Sequence, residues 1–406
     1  MKVLAAVVVA PHLDNSGAVN AALALSRALA AHVDIDVALM SSVSSEGSLG
    51  GARLLKRRAT NPLGFTKGFA PDRVRTLFYR SDIPALVRRG GYDLVHLHNP
   101  IPTLEMRRIA RAAAASGIPY VVSTHGFVEV LDLARSYRLA AYERLAGRML
   151  VSRPLREVIA GAAAILALTP SDASLVVSAG VPENRISIVP NGLTAENFAS
   201  PPESEVRELR QRFDLMNCDG PLCFFLANHT RNKGLDVLLD AFSRTDAPYV
   251  LAIGGKKRHY AYDDYAARCR SNQRMIFTDT LTDKEVHAFH HIADLFVFPS
   301  LADTSPLVVL EAMAAGTPVL STTVGGIPHQ VPPGHGVLVE PGSAIAFQRA
   351  FERLAANRPQ LVTMGDRARA HMLANFSWTR SAALAAEQYH AVLAALVTGS
   401  PSVRRK

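Results

Sequence analysis

Cysteine is scarce in this chain. Cys218, Cys223 and Cys269 are the only three in 406 residues. Their odd number and spacing exclude a paired disulfide framework, suggest no zinc site and fit a reducing cytosol. Long apolar runs are missing too: none reaches the roughly 18 residues of a membrane-spanning helix, so membrane contact is expected to be peripheral. The opening Met1–Ala10 run is apolar but short, and its lead into a loop and helix reads as a first buried strand rather than a signal peptide. Acids are scarce in one half only. Residues 1–195 hold 22 Lys+Arg against 14 Asp+Glu, and residues 196–406 hold 22 against 21, so the first half carries +8 of the formal +9. That imbalance implies an acidic or membrane-surface partner for the first half.

The length exceeds one ordinary core and suggests two domains of about 200 residues each. Strand and helix alternate in the first half: Val3–Ala10, a loop with Gly17, a helix to Ala31, strand Asp34–Met40, then a long insertion. Leu94–His98, Tyr120–Thr124, Ala164–Leu168 and Ile186–Val189 read as further strands. The second half repeats the plan with Leu222–Ala227, Tyr249–Ile253, Met275–Phe277, Leu295–Phe298 and Pro318–Ser321. Repeated strand-helix units imply α/β domains with doubly wound parallel sheets, which bind ligands at the carboxyl ends of their strands. The boundary is expected near Ala195, giving domains 1–195 and 196–375. A last helix in 376–406, apolar on one face, is expected to pack back on the first domain.

The segment Phe298–Leu320 carries the most pointed signal. Ser305 reads as an N-cap, Pro306 as the first helical residue, and Gly316 with Pro318 as the stop. Asp303 then lies in the loop before the helix and Glu311 inside it, roughly 7 Å along at about 1.5 Å per residue. A carboxylate in so apolar a helix needs a donor, from the protein or from a ligand. One reading is a core helix whose Glu bonds a neighbouring side chain. The other is two acids gripping two parts of one ligand, with helix-start N–H groups favouring a phosphate.

Other strand ends also carry polar residues. Gly17, His98-Asn99 and Thr124-His125-Gly126 fall on one rim of the first domain, where His suits bonding to a hydroxyl or carbonyl at neutral pH. In the second, Ala227-Asn-His-Thr-Arg-Asn-Lys-Gly234 sets Arg231 and Lys233 beside a helix N-terminus, suited to a diphosphate. Gly325-Gly326 reads either as a plain turn or as backbone N–H groups added to that anion site. Asp34-Ile-Asp36 matches the Asp-x-Asp pattern of a metal-holding pair, but strand alternation argues for a surface-facing pair instead.

These residues together resemble a known family. Lys233-Gly, Asp303-x7-Glu311-Ala-Met-Ala-Ala-Gly-Thr-Pro-Val, Gly325-Gly-Ile-Pro, Val189-Pro-Asn-Gly, Thr124-His-Gly and the closing Phe376-Ser-Trp378 are similar to the retaining glycosyltransferases of the GT-B fold, the group 1 or family 4-like enzymes. The resemblance implies two Rossmann-like domains facing across a cleft. It further implies a nucleotide diphosphate sugar donor held by the second domain, a glycan or lipid-linked acceptor held by the first, no metal and no cofactor, and retained anomeric configuration. Carried over by position, Glu311 bonds the ribose, Asp303 contacts the donor sugar, Lys233 neutralises the diphosphate, and His125 and Gly17 line the sugar pocket. Two positions depart from the pattern. Asp303 stands where the family usually has Glu, and Ala227-Asn228 where it usually has Gly-Arg, which leaves Arg231 as the candidate replacement cation.

The insertion holds Arg53, Lys56, Arg57, Arg58, Lys67, Arg73, Arg75 and Arg80 against the single acid Asp72. It reads either as a solvated loop or as a dock for anionic lipid on the inner face of the cell membrane. Few aromatics are interleaved, so a nucleic-acid partner is not expected. The expected function is a cytoplasmic, peripherally membrane-associated hexosyltransferase of polysaccharide biosynthesis. The alternatives are a nucleotide-sugar-binding partner subunit without turnover, or a sugar-nucleotide epimerase on the same fold.

Overall fold

A computed structural model describes residues 1–14, 16–64, 72–125, 127, 141–215, 220–256 and 262–398. Gly126, Lys67, Cys218 and the 128–140 part of the Arg-rich helical region lie outside these described residues, as does the side chain of Arg73. The chain divides into two compact units: Met1–Gly192 with Trp378–Lys406, and Leu193–Ser377.

The first unit is built on an eight-stranded sheet in the order β3-β4-β2-β1-β5-β6-β7-β8. Its strands are β1 (Lys2–Val7), β2 (Asp34–Ser41), β3 (Ser45–Leu49), β4 (Ala52–Arg58), β5 (Leu94–His98), β6 (Tyr120–Ser123), β7 (Ala164–Ala167) and β8 (Ile186–Ile188). All neighbours pair in parallel except β3 with β4. Parallel strands covered on both faces read as continuous apolar runs, and Val3 to Ala10 is buried throughout. The helix Trp378–Val397 belongs to this unit, with Tyr389 fully buried and its hydroxyl 2.7 Å from His96 Nδ1.

Two expectations are corrected here. The start of the insertion is not a solvated loop: Arg53 to Arg58 lie on β4, paired to β2. Acids on either side take up part of its charge, since Arg53 bonds Glu46 at 2.7 Å and Arg57 Nε bonds Asp82 at 2.9 Å. Nor is Asp34–Asp36 a surface-facing pair. Asp34, at the strand start, is exposed, but Asp36 is buried where β2 runs between β1 and β4. Tyr92 donates to Asp36 at 2.7 Å, and Lys2 Nζ stands 3.8 Å away.

The second unit carries six parallel strands in the order β11-β10-β9-β12-β13-β14. They are β9 (Leu222–Leu226), β10 (Tyr249–Gly254), β11 (Gln273–Asp279), β12 (Leu295–Phe298), β13 (Val319–Thr322) and β14 (Gly336–Val339). Phe224 on β9 stacks on Phe289 of the Asp283–Ile292 helix at 4.7 Å, and Phe296 meets it edge-on at 5.9 Å. A buried aromatic of this kind contributes about 1.5–3 kcal/mol through burial, so these rings fix the sheet against its helices. The Leu307–Ala314 helix buries Val309, Leu310, Ala312, Met313 and Ala314. Pro306 is its cap residue, in extended conformation, rather than its first helical residue. Ser305 is therefore not the N-cap, and its hydroxyl accepts from Gln330 Nε2 at 3.0 Å.

Candidate active site

In the second sheet the chain builds outward from β9 through β10 to β11, then returns to the other side of β9 to place β12, β13 and β14. In doubly wound sheets such a reversal is where ligands bind, outside the carboxyl ends of the strands. The expected donor-site residues lie on the loops after β9, β12 and β13, apart from Glu311, which lies on the Leu307–Ala314 helix.

The first loop is fastened to the second. Leu301 N–H donates to the carbonyl of Asn232 at 2.7 Å. Gly234 permits the approach: at φ +69° it lies so close to β12 that a Cβ would stand 1.9 Å from the Pro299 carbonyl oxygen. Lys233 is thereby delivered to Asp303, its Nζ 2.8 and 2.9 Å from the two carboxylate oxygens. Ser300 Oγ adds a bond of 2.7 Å to Oδ2 of the same carboxylate. Asp303 is thus buried with the protein itself supplying its donors, as a buried acid requires.

Gly325 seals the other side of Asp303. Its φ is +53°, and a Cβ there would lie 1.6 Å from the Asp303 carbonyl oxygen. The expectation that both glycines offer N–H groups to an anion is corrected for one of them, because Gly326 N–H donates to Thr304 at 2.9 Å. The N–H groups of Val324 and Gly325 have no acceptor among the described residues, and successive free N–H groups of this kind favour an anion.

Glu311 contrasts with Asp303. No hydrogen-bond donor reaches its carboxylate among the described residues, and His290 Nε2 stands 3.9 Å from it. Burial pushes the carboxyl up to about 7, with the charge of Asp283 adding to the effect. Solvent still reaches 31% of the side chain, which tempers the desolvation, so the upward direction is the secure part. His290 has neither ring nitrogen bonded and is held down to about 3, mainly by burial. It stays neutral and does not neutralise Glu311. The question posed by the sequence is answered for the described protein atoms: they supply no donor to this acid.

Arg231 is exposed and makes no ion pair among the described residues. The structure does not bring it to the Lys233–Asp303 pair. Asn228 is also exposed, and its carbonyl accepts from Thr230 N–H at 2.6 Å. Among the described residues no three His, Cys, Asp or Glu side chains are grouped to hold a metal ion.

The first unit presents a different chemistry at the ends of β5, β6 and β7. His96 and His98 alternate on β5, share a face, and lie tilted to one another with ring centroids 3.7 Å apart; His125, after β6, lies 5.6 Å from His98. His96 is held at both nitrogens, by Ser123 Oγ at 2.8 Å and Tyr389 at 2.7 Å. Neither nitrogen of His98 nor Nε2 of His125 has a partner among the described residues. Burial lowers all three, His96 to about 3, His125 to about 4 and His98 well below its ordinary value, so the cluster is neutral at physiological pH. Thr124 Oγ1 accepts from Leu168 N–H and donates to the buried Asp172 carboxylate, both at 3.1 Å. Gly17 opens the helix Gly17–Leu29 after β1, and a Cβ there would meet nothing within 4 Å.

Sequence reasoning passed over His96, Tyr389 and Asp172. The His-Leu-His alternation was the available signal for His96. Tyr389 gave none, since its partner lies 293 residues away.

A pair of doubly wound α/β units, one with a cation–carboxylate pair at its strand reversal and the other with neutral polar side chains at its strand ends, defines the architecture of a two-domain glycosyltransferase. Residues 207–371 match the family Glycosyl transferases group 1, and residues 15–197 match Glycosyltransferase Family 4. The D-inositol 3-phosphate glycosyltransferase of Pseudarthrobacter chlorophenolicus is 30% identical over 325 residues, covering 75% of this chain and 72% of that protein. The chain belongs to the group 1 glycosyltransferases. Among solved structures, sucrose-phosphate synthase from Thermosynechococcus elongatus superposes with a TM-score of 0.72 at 18% identity, over 97% of this chain and all of that one. Anabaena Alr3699/HepE, solved with UDP and glucose, gives 0.69 at 17% identity over 96% and 100%.

Proposed function

We propose that this enzyme transfers a hexose from a nucleotide diphosphate sugar to a glycan or lipid-linked acceptor, with retention of anomeric configuration and without a metal ion. The observation that carries the reading is Glu311, a half-buried carboxylate near the sheet's strand reversal for which the described residues provide no donor. A ribose diol supplies two hydroxyl donors to one carboxylate. The UDP-bound Anabaena structure, alike in fold, supports the donor class.

In this reading the diphosphate lies against Lys233 and the free N–H groups of Val324 and Gly325. Asp303 and Ser300 hold Lys233 in place, and Asp303 contacts the donor sugar. Negative charge grows on the leaving diphosphate as the glycosidic bond breaks, so a prepositioned cation and backbone donors lower the barrier. The first unit takes the acceptor. His125 and Gly17 line a pocket for sugar hydroxyls there, where neutral imidazoles bond without demanding charge. The excess of basic residues in 1–195 suits an anionic acceptor.

A thermal-shift panel of UDP, GDP, ADP and dTDP with their sugars tests the reading. One nucleotide at about 100 times its dissociation constant stabilises the chain by about 2.7 kcal/mol, a rise of roughly 5–10 °C for units of this size. No shift with any member of the panel overturns the donor assignment.

A further inference from the structure

An unused donor stands behind Glu311. His290 lies in the last turn of the helix Asp283–Ile292, its side chain 3% exposed and its Nε2 3.9 Å from Glu311 Oε2. Neither of its ring nitrogens has a partner among the described residues. An imidazole always carries at least one N–H, and burying that N–H without an acceptor is unfavourable. The carboxylate is the acceptor beside it.

Packing fixes the ring. Phe224 meets it edge-on at 5.2 Å, and Phe296 lies tilted to it at 5.2 Å. Buried Thr317 ties the two helices together: its hydroxyl donates to the His290 carbonyl, and its N–H donates at 2.9 Å to the carbonyl of Ala312, the residue after Glu311. Glu311 is partly open to solvent and has three side-chain torsions, so it is the member of the pair that can turn. A hydrogen bond of about 2.9 Å needs the carboxylate to move by about 1 Å. The charge states suit this. His290 is held neutral by burial, whereas burial and the charge of Asp283 push Glu311 toward its neutral form. An N–H given to the carboxylate favours the ionised form, which is the one that accepts from two hydroxyls.

We propose that His290 is a positioning residue for Glu311: when the nucleotide ribose is bound, Nε2–H donates to Oε2, orients the carboxylate from its buried side and leaves Oε1 and the outer lone pairs to the diol. The inference rests on the ribose role of Glu311 and adds the group that holds it.

Calorimetry on the full chain tests it, with UDP, GDP and ADP each beside its dideoxyribose analogue, because the ratio of the two affinities isolates the ribose hydroxyls. Wild type prefers the ribonucleotide about 100-fold. His290→Phe keeps an aromatic ring beside Phe224 and Phe296 but removes the donor, and lowers that preference about tenfold. His290→Gln, whose amide N–H reaches the Nε2 position, keeps the preference within about threefold of wild type, while His290→Asn, one carbon shorter, loses about as much as the Phe variant. In the Glu311→Ala background His290→Phe changes the preference no further. If the Phe variant does not fold, the comparison of Gln with Asn decides on the same criteria. Full preference retained by the variants without the donor, an equal loss for both members of a pair, or no rescue by Gln overturns the positioning role alone. Equal binding of both members by the wild type overturns the ribose reading, and this inference with it.

Discussion

The strand ends of the two units solve the same problem with opposite electrostatics. In Leu193–Ser377 the polar groups are formally charged: Lys233 clamps Asp303, and Glu311 is an acid that no described donor reaches. In the first unit they are neutral, three clustered histidines held uncharged by burial. A diphosphate needs opposite charge placed in advance, and a diol needs an acceptor that no protein donor has already used. Sugar hydroxyls need only partners that accept or donate, and a charge there would cost desolvation without return. On the proposed reading, leaving-group chemistry falls to one unit and hydroxyl recognition to the other.

The sharpest way to break that assignment is at Glu311. Glu311→Ala is expected to weaken nucleotide sugar binding about 100-fold, the loss of hydrogen bonds to one charged group. Wild-type affinity in calorimetry removes its ribose role. Lys233→Ala comes next: binding of the nucleoside diphosphate should fall about tenfold while binding of the nucleoside holds, and equal losses argue against the diphosphate contact. The same variant leaves buried Asp303 with Ser300 as its remaining side-chain donor, so chemical denaturation should show a loss of about 1–3 kcal/mol.

Acid titration compares the units directly. A buried histidine lowered from 6.5 contributes stability that is complete above 6.5 and lost as pH falls toward its folded value, because the unfolded chain takes up the proton first. His125→Asn should therefore flatten the decline between about pH 6.5 and 4, by up to about 1.4 kcal/mol per pH unit. Glu311 has the reverse sign. Its folded value near 7 lies above the ordinary 4.5, so its contribution is complete below 4.5 and lost as pH rises toward 7. Glu311→Gln should then flatten stability in the opposite direction over that window. Variants that move the two slopes alike would erase the contrast. The smallest expected effect is that of Tyr389→Phe, which removes one buried bond to His96 and should cost about 1 kcal/mol in a denaturant melt.

The buried parallel strands were legible because burial on both faces leaves an unbroken apolar run, as in Leu222–Leu226 and Leu295–Phe298. The β3–β4 hairpin was not. β3 is an exposed edge strand, both strands are rich in Arg, Lys, Ser and Glu, and only Gly50-Gly51, the two-residue connection between Leu49 and Ala52, marked the turn. β14 escaped because it is four residues long and only half-buried. The helix Arg358–Asn375 was missed because its exposed residues, Val362 and Leu373 among them, blur the apolar stripe. At the site, residue identity made Lys233, Asp303 and Glu311 candidates, but not that the protein pairs the first two and leaves the third. Partnership of this kind is set by loops meeting across 70 residues of sequence.

The helix Trp378–Val397 makes the first unit a product of both ends of the chain, with the second unit inserted between them. During synthesis, Leu193–Ser377 emerges with all its strands and packs without waiting for anything downstream. The first unit begins earlier yet finishes later, because Tyr389 reaches His96 only after the inserted unit has been made. The unit that begins first is therefore the one exposed to chaperones and proteases for longer.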